Sequence, residues 1–338
     1  MPHRPDALKF LAPNWFAMVM SLCGLALAWD RAAAVLGDMA SGVALALAAV
    51  AALAFVALAT LSLMRWQHFG EATAADAKHP VRHAFFATIP VSLLLLATVG
   101  VALLGDQLWL AVLWWLGSLS QLGVTLWVLA RWLSADKAQQ PGWAAVTPVL
   151  FIPVVGNVLA PLAGPTLGAT AWSAAQLGVG VLLWPVLVAL LLARIATQGP
   201  WPARLLPATF ISMAPPAVIG SSVLQLGGPV LLAWMCWGAA LFFLLWSLQI
   251  GRQMLAQPFG ISFWSLGFPL AAFASLSLRL VMHHPAAQAP AMIALALASL
   301  VIVLLGIATW KGLREGSLLQ PEPVAIMAVG DSGAAPAP

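Results

Sequence analysis

Long apolar runs follow one another along this chain, each near the length that crosses a bilayer. The hydrocarbon core is about 30 Å thick and a helix rises about 1.5 Å per residue, so a span takes roughly 20 apolar residues. Ten runs fit: 13–29, 41–64, 84–104, 108–133, 144–164, 168–194, 206–226, 229–251, 262–282 and 290–311. The connections are short apart from 65–83, and residues after Glu315 form a Pro/Ala/Gly-rich stretch that reads as disordered. Only 7% of the 338 residues are charged, against about 25% in a soluble domain. The fold class is therefore all-α and polytopic, with an N-terminal segment 1–12, a transmembrane domain 13–314 and a tail 315–338. The first run follows "PHRPDALKF" and ends in "LALAWD" without a small-residue cleavage site, so it reads as a retained span.

Charge gives the direction. An even number of spans puts both termini on one side. If that side is the cytoplasm, it receives twelve of the fourteen Lys and Arg, and only Arg31 and Arg279 fall elsewhere. Basic residues are retained on the cytoplasmic side during insertion, so both termini are expected there. The net charge of +4 serves topology and does not suggest a nucleic-acid partner.

Proline alternates between spans. The odd spans carry it inside: Pro90 in the third, Pro148, Pro153 and Pro161 in the fifth with Gly156 among them, Pro215 and Pro216 in the seventh, Pro269 in the ninth. The first has Pro13 at its start. The even spans are clean or carry proline in the first turn, where it is tolerated, with Pro185 in the sixth the one exception. Broken backbone at membrane depth survives only when buried in protein or lining a water-filled cavity. The odd helices are thus expected inside and the straight even ones outside, with their tryptophans facing lipid or its interface.

The spans lack acids and histidines in their interiors. All ten acids and all six histidines lie in loops, termini or span edges. This weighs against a cation carrier or a proton relay, and against an enzyme, since no base or metal-ligand cluster assembles. No cofactor or metal site is expected. The pair His283–His284 reads as a surface loop, and Cys23 and Cys236 as small buried hydrophobes. Arg279, near the end of the ninth span, either snorkels to the interface or adds positive potential to an anion path. Asn14, Asn157, Ser212 and other uncharged polar residues on the odd spans either bond carbonyls freed at kinks or line a weakly polar pore.

Several segments resemble one family. "NWFAMVMSLCGLALAW" (14–29), "HPVRHAFFATIPVSLLLLA" (79–97), "FIPVVGNVLAPLAG" (151–164), "WSLGFPLAAFA" (264–274) and "WKGLREGSLLQPEP" (310–323) are similar to the tellurite-resistance/dicarboxylate transporter family. It includes bacterial TehA, a fungal malate permease and sulfite pump, and plant slow anion channels. The resemblance implies five helical hairpins around a pseudo-fivefold pore, kinked odd helices lining it, and a homotrimer in the lipid of the bacterial inner membrane. It also implies a gate at Phe268, in "GFP", with Phe86 as a candidate second aromatic; the plainer reading of Phe268 is a packing residue. The function implied is a gated passive channel for small monovalent anions such as chloride or nitrate. The alternative is a carrier of four-carbon dicarboxylates or an exporter of sulfite or tellurite oxyanions. A dicarboxylate calls for paired cations, and Arg279 alone is a thin supply.

Overall fold

A computed structural model describes residues 7–134 and 140–320. Residues 1–6 and 321–338, most of the expected terminal segments, lie outside the described residues, as does Lys137. Among the described residues all regular structure is helical. In chain order the apolar helices are α1 (Pro13–Leu36), α2 (Asp38–His68), α3 (Arg82–Leu104), α4 (Leu108–Leu133), α5 (Pro148–Leu162), α6 (Thr170–Gln198), α7 (Ala203–Gln225), α8 (Val230–Leu248), α9 (Ile261–Val281) and α10 (Pro285–Glu315). Nine are long and apolar enough to cross a membrane, and α5 is shorter. Ten spans are expected from the sequence, and the described residues hold nine helices of spanning length, the fifth expected span being a shorter, broken helix. α1 also outruns its expected end at residue 29. An apolar window stops at the charges of Asp30 and Arg31, whereas the backbone continues helical until Gly37, whose φ of 70° ends it.

The proline alternation has a conformational basis. Every odd helix begins as a 3-10 segment and then becomes α: Pro13–Phe16 into Ala17–Leu36, Arg82–Ala87 into Thr88–Leu104, Pro148–Leu150 into Phe151–Val155, Ala203–Met213 into Ala214–Gln225, Ile261–Leu266 into Gly267–Val281. Pro90, Pro153, Pro216 and Pro269 each occupy the third residue of the α portion. In a first turn the missing N–H breaks no i→i−4 bond, and the fixed φ suits the helix. The ring cannot, however, let an α-helix run in from the preceding side. Of the even helices, α2, α6 and α8 are α throughout, while α4 ends and α10 begins in one short 3-10 turn, and Pro185 sits inside an unbroken α6.

The straight helices repair the broken ones. From one face of α4, Gln121 Nε2 donates to the carbonyls of Ile152 and Pro153 at 3.1 Å each. Thr125 Oγ1 also donates to Pro153 O at 2.6 Å, and Trp114 Nε1 to Ala160 O at 3.1 Å. Positions 114, 121 and 125 are spaced to share one helical face. From α7, Ser222 Oγ donates to Val158 O at 2.7 Å. Thr88 and Ser21 similarly reach the carbonyls of Pro13 and Trp264. Trp114 is accordingly fully buried instead of facing lipid, while Trp109, Trp115 and Trp127 of the same helix are exposed.

Burial follows the alternation. Between 61 and 94% of the most apolar stretch of α1, α3, α7 and α9 is inside the bundle, against 17 to 33% for the even helices. Nearly all of α5 is buried. Each odd helix packs against the even helix that follows it.

The long α2–α3 connection is a short helix, Gly70–Lys78, folded back on the bundle. Asp76 is buried there between Arg65 (2.7 Å) and Arg82 (3.0 Å). Arg131 caps it by donating to the carbonyls of Ala77 and Lys78. Burial and Arg82 push the adjacent His79 below the usual histidine range, against the pull of Asp76.

Two substitutions test these contacts by thermal unfolding of the purified protein. Gln121→Leu removes an amide donor from two buried carbonyls, leaving Pro153 O to Thr125 and Ile152 O to the Gly156 N–H, and is expected to cost about 1–3 kcal/mol. Thr125→Val takes one donor from Pro153 O and the acceptor from Asn157 Nδ2, and a similar loss is expected. An unchanged melting temperature for Gln121→Leu would sink the repair argument. Asp76→Asn leaves the buried Arg65 uncompensated, and the expected loss is about 3 kcal/mol; a wild-type melt would show the linker clamp to be dispensable.

Candidate functional site

Two cavities are enclosed by the odd helices. The first, of about 60 Å³, is lined from α1 by Ala17 and Met20, from α3 by Phe85 and Val91, from α5 by Phe151 through Leu159 in part, from α7 by Ile211, Ala214, Pro215 and Val218, and from α9 by Trp264, Ser265, Phe268 and Pro269. The second, of about 30 Å³, is lined by Gly24, Leu27 and Arg31, by Leu95 and Thr98, by Leu162, by Val218 and Ser221, and by Phe268, Ala272, Ser275 and Arg279. No even helix contributes to either.

On all five helices, lower residue numbers line the first cavity and higher numbers the second. The odd helices therefore run in the same direction, and the cavities lie in series. Phe268 and Val218 line both. The Phe268 side chain is the larger of the two and is 9% exposed. Its position comes from the backbone, since it is the second residue of an α portion whose third is Pro269. Gly24 lets it lie against α1: a Cβ there would meet Phe268 Cδ2 and Ala271 Cβ, each at 3.1 Å.

The two chambers differ chemically. In the first, Ser265 is the one side-chain hydroxyl among apolar and backbone groups. The second carries Arg31, Arg279, Thr98, Ser221 and Ser275. Among the described residues no group of three His, Cys, Asp or Glu is arranged to hold a metal ion.

Of the residues singled out from sequence, Phe268, Gly156, Pro215 and Pro269 line the first cavity, and Arg279 the second. Pro90 and Pro153 are buried but face neither. Asn157 points away: its Nδ2 donates to Thr125 Oγ1 of α4 at 2.8 Å. Ser212 is buried outside the cavities, and its Oγ has no partner among the described residues. Asn14 Oδ1 is likewise enclosed and unpartnered. Phe86 lies edge-on against Trp127, centroids 5.8 Å apart, while its neighbour Phe85 faces the cavity. At three residues per 3-10 turn, consecutive side chains point roughly 120° apart, so only one of the two can face inward. Sequence reasoning missed Phe85, Gly24 and Arg31. For Arg31 the signal was present, because 24, 27 and 31 share a helical face, but only once α1 is allowed to continue past Asp30.

Comparison with known proteins agrees with this architecture. An uncharacterized transporter of Methanocaldococcus jannaschii is 27% identical over 305 residues, covering 80% of this chain and 84% of that protein. The S-type anion channel SLAH3 of Arabidopsis thaliana is 27% identical over 246 residues, 71% of this chain and 38% of the plant protein. A tellurite resistance protein TehA homolog of Haemophilus influenzae is 24% identical over 316 residues, 90% of this chain and 92% of that one. The profile of the SLAC1 family, described as voltage-dependent anion channel, matches residues 11–310. With almost the whole helical region matched, the chain is an integral membrane protein belonging to the SLAC1 family, an anion channel and transporter family.

Proposed function

We propose that the protein is a gated passive channel for small monovalent anions such as chloride or nitrate, and that Phe268 closes it. The observation that carries this reading is the pair of cavities in series, lined by all five odd helices and sharing the Phe268 ring and Val218. An apolar ring across a narrow path dewets it and stops hydrated ions, and a side-chain rotation reopens it. The likeness to a protein named an S-type anion channel supports the same class.

The architecture goes with it. α5 has ten residues in 3-10 form and five in α form. At about 2.0 and 1.5 Å per residue these reach about 27 Å, close to the hydrocarbon thickness of about 30 Å. Ten crossings, paired as five hairpins around a pseudo-fivefold axis, account for the parallel odd helices. Both termini then face the cytoplasm, and the protein sits in a bacterial inner membrane as a homotrimer. The rival reading, a carrier of four-carbon dicarboxylates or an exporter of sulfite or tellurite oxyanions, gains from Arg31, which supplies Arg279 with a second cation. A cavity of about 30 Å³ nevertheless suits a small ion better than a four-carbon chain.

Anion flux into liposomes holding the purified protein tests the channel. Wild type is expected to pass chloride slowly. Phe268→Ala should pass it at least about tenfold faster, equivalent to ~1.4 kcal/mol of barrier, with no pH gradient. Silence of both proteins, with malate or sulfite moving only under a proton gradient, would make this a coupled carrier. Gly24→Ala presses on the ring without removing it. Its chloride flux is expected between those of wild type and Phe268→Ala, and a flux equal to wild type would mean that the ring's seat on α1 does not control the path.

A further inference from the structure

We propose that Arg31 and Arg279 form a binding site for one small inorganic anion in the second cavity, beside Phe268. The proposal rests on the pathway reading for its role but not for its existence, since an anion can occupy this chamber whether or not the ring ever moves.

The backbone directs both guanidinium groups to the cavity. Arg31 follows Gly24 and Leu27 on one face of α1, and Arg279 follows Phe268, Ala272 and Ser275 on one face of α9. Two permanent positive charges lining one small chamber, on residues that are both partly buried, repel each other and favour a counter-charge between them. The residues that line the chamber supply none, and Asp30 attracts Arg31 only from outside it. Among the described residues the ion pairs are those of Asp76 with Arg65 and Arg82 and of Lys311 with Glu315, so neither Arg31 nor Arg279 has a carboxylate partner. Asp30 adjoins Arg31 in sequence, but one helical residue is about 100° of rotation, and it does not line the cavity. Arg279 does have a polar contact, as its Nη2 donates to Gln225 Oε1 at 2.8 Å. A neutral amide fixes the direction of the guanidinium and leaves its charge intact.

These are also the two basic residues that stand apart from the other twelve in the chain's charge asymmetry. Basic residues away from the cytoplasmic side run against insertion preference, so bringing both to one chamber calls for a use. The chemistry around them fits an anion. Thr98, Ser221 and Ser275 add hydroxyls that can donate to it, and two planar guanidiniums suit a halide or a trigonal oxyanion bridged between them. The cavity is about 30 Å³, room for about two waters at roughly 10–15 Å³ each, which a bromide, chloride or nitrate fills. The site raises the anion concentration next to Phe268, so opening the ring finds an ion already in place.

The test is binding, read as thermal unfolding of the full chain in detergent while gluconate is replaced by bromide or by nitrate. Wild type and Phe268→Ala should both show a saturable rise in melting temperature. Arg31→Gln and Arg279→Gln should each raise the half-saturating concentration by at least about tenfold, the loss of one charge-assisted contact. In gluconate alone each should melt no lower than wild type, since removing one of two like charges relieves repulsion. Bromide anomalous scattering from wild-type crystals, expected between the two guanidiniums, reads the site independently of how the variants fold. Superimposable titrations for wild type and both arginine variants, or a bromide peak elsewhere, would overturn the site. Binding lost in the arginine variants while Phe268→Ala passes no chloride would leave the site standing and remove the channel. Chloride flux through Phe268→Ala without saturable binding would do the reverse.

Discussion

A carbonyl that loses its helical partner inside a membrane must find another within the protein. No water reaches it from lipid, and leaving it bare costs several kcal/mol. The rest of this structure depends on that constraint. Pro153 and Pro161 break α5 in the middle of the bundle. Gln121, Thr125 and Trp114 of α4 and Ser222 of α7 then meet the carbonyls of Ile152, Pro153, Val158 and Ala160. A kinked helix is therefore viable beside neighbours, straight or kinked, that present polar side chains to its carbonyls. The alternation of broken and continuous helices is one arrangement seen from two sides.

The same requirement explains why the path is so apolar. Several hydroxyls on the inner helices are already engaged with backbone carbonyls, Thr88 with Pro13 O, Ser92 with Thr88 O and Ser222 with Val158 O, and the Asn157 amide is engaged with Thr125 Oγ1. What remains to face the first cavity is aliphatic and aromatic, with Ser265 as the exception. Such a chamber next to a ring stays dry with little help, and a small ring movement is enough to decide whether it wets.

Much of the fold was legible because its causes are local. Apolar length marks helices, and proline placement marks which helices are inside, since both follow from what a single residue does to backbone hydrogen bonding. Phe268 was singled out through its motif, and its side chain lines both cavities. Asn157 and Phe86 were not legible, because their direction depends on the 3-10 phase of the segments that carry them, and composition does not reveal a change from 3.6 to 3.0 residues per turn. Arg31 was lost for a different reason. A hydropathy window ends a span at its first charges, and here the helix continues about two turns past residue 29, with Arg31 on the face that lines the second cavity.

On the proposed reading, ring and charge divide the labour along α9. Phe268 and Arg279 lie eleven residues apart, about three turns on one face, with Ala272 and Ser275 between them. The ring would set whether anything passes, and the arginines would bias what stands ready to pass. An arginine at the ring itself would hold an anion in the narrowest, driest place, where leaving is slowest. Set back by three turns, among hydroxyls and beside a second cation, the charge attracts without adding its binding energy to the barrier at the gate.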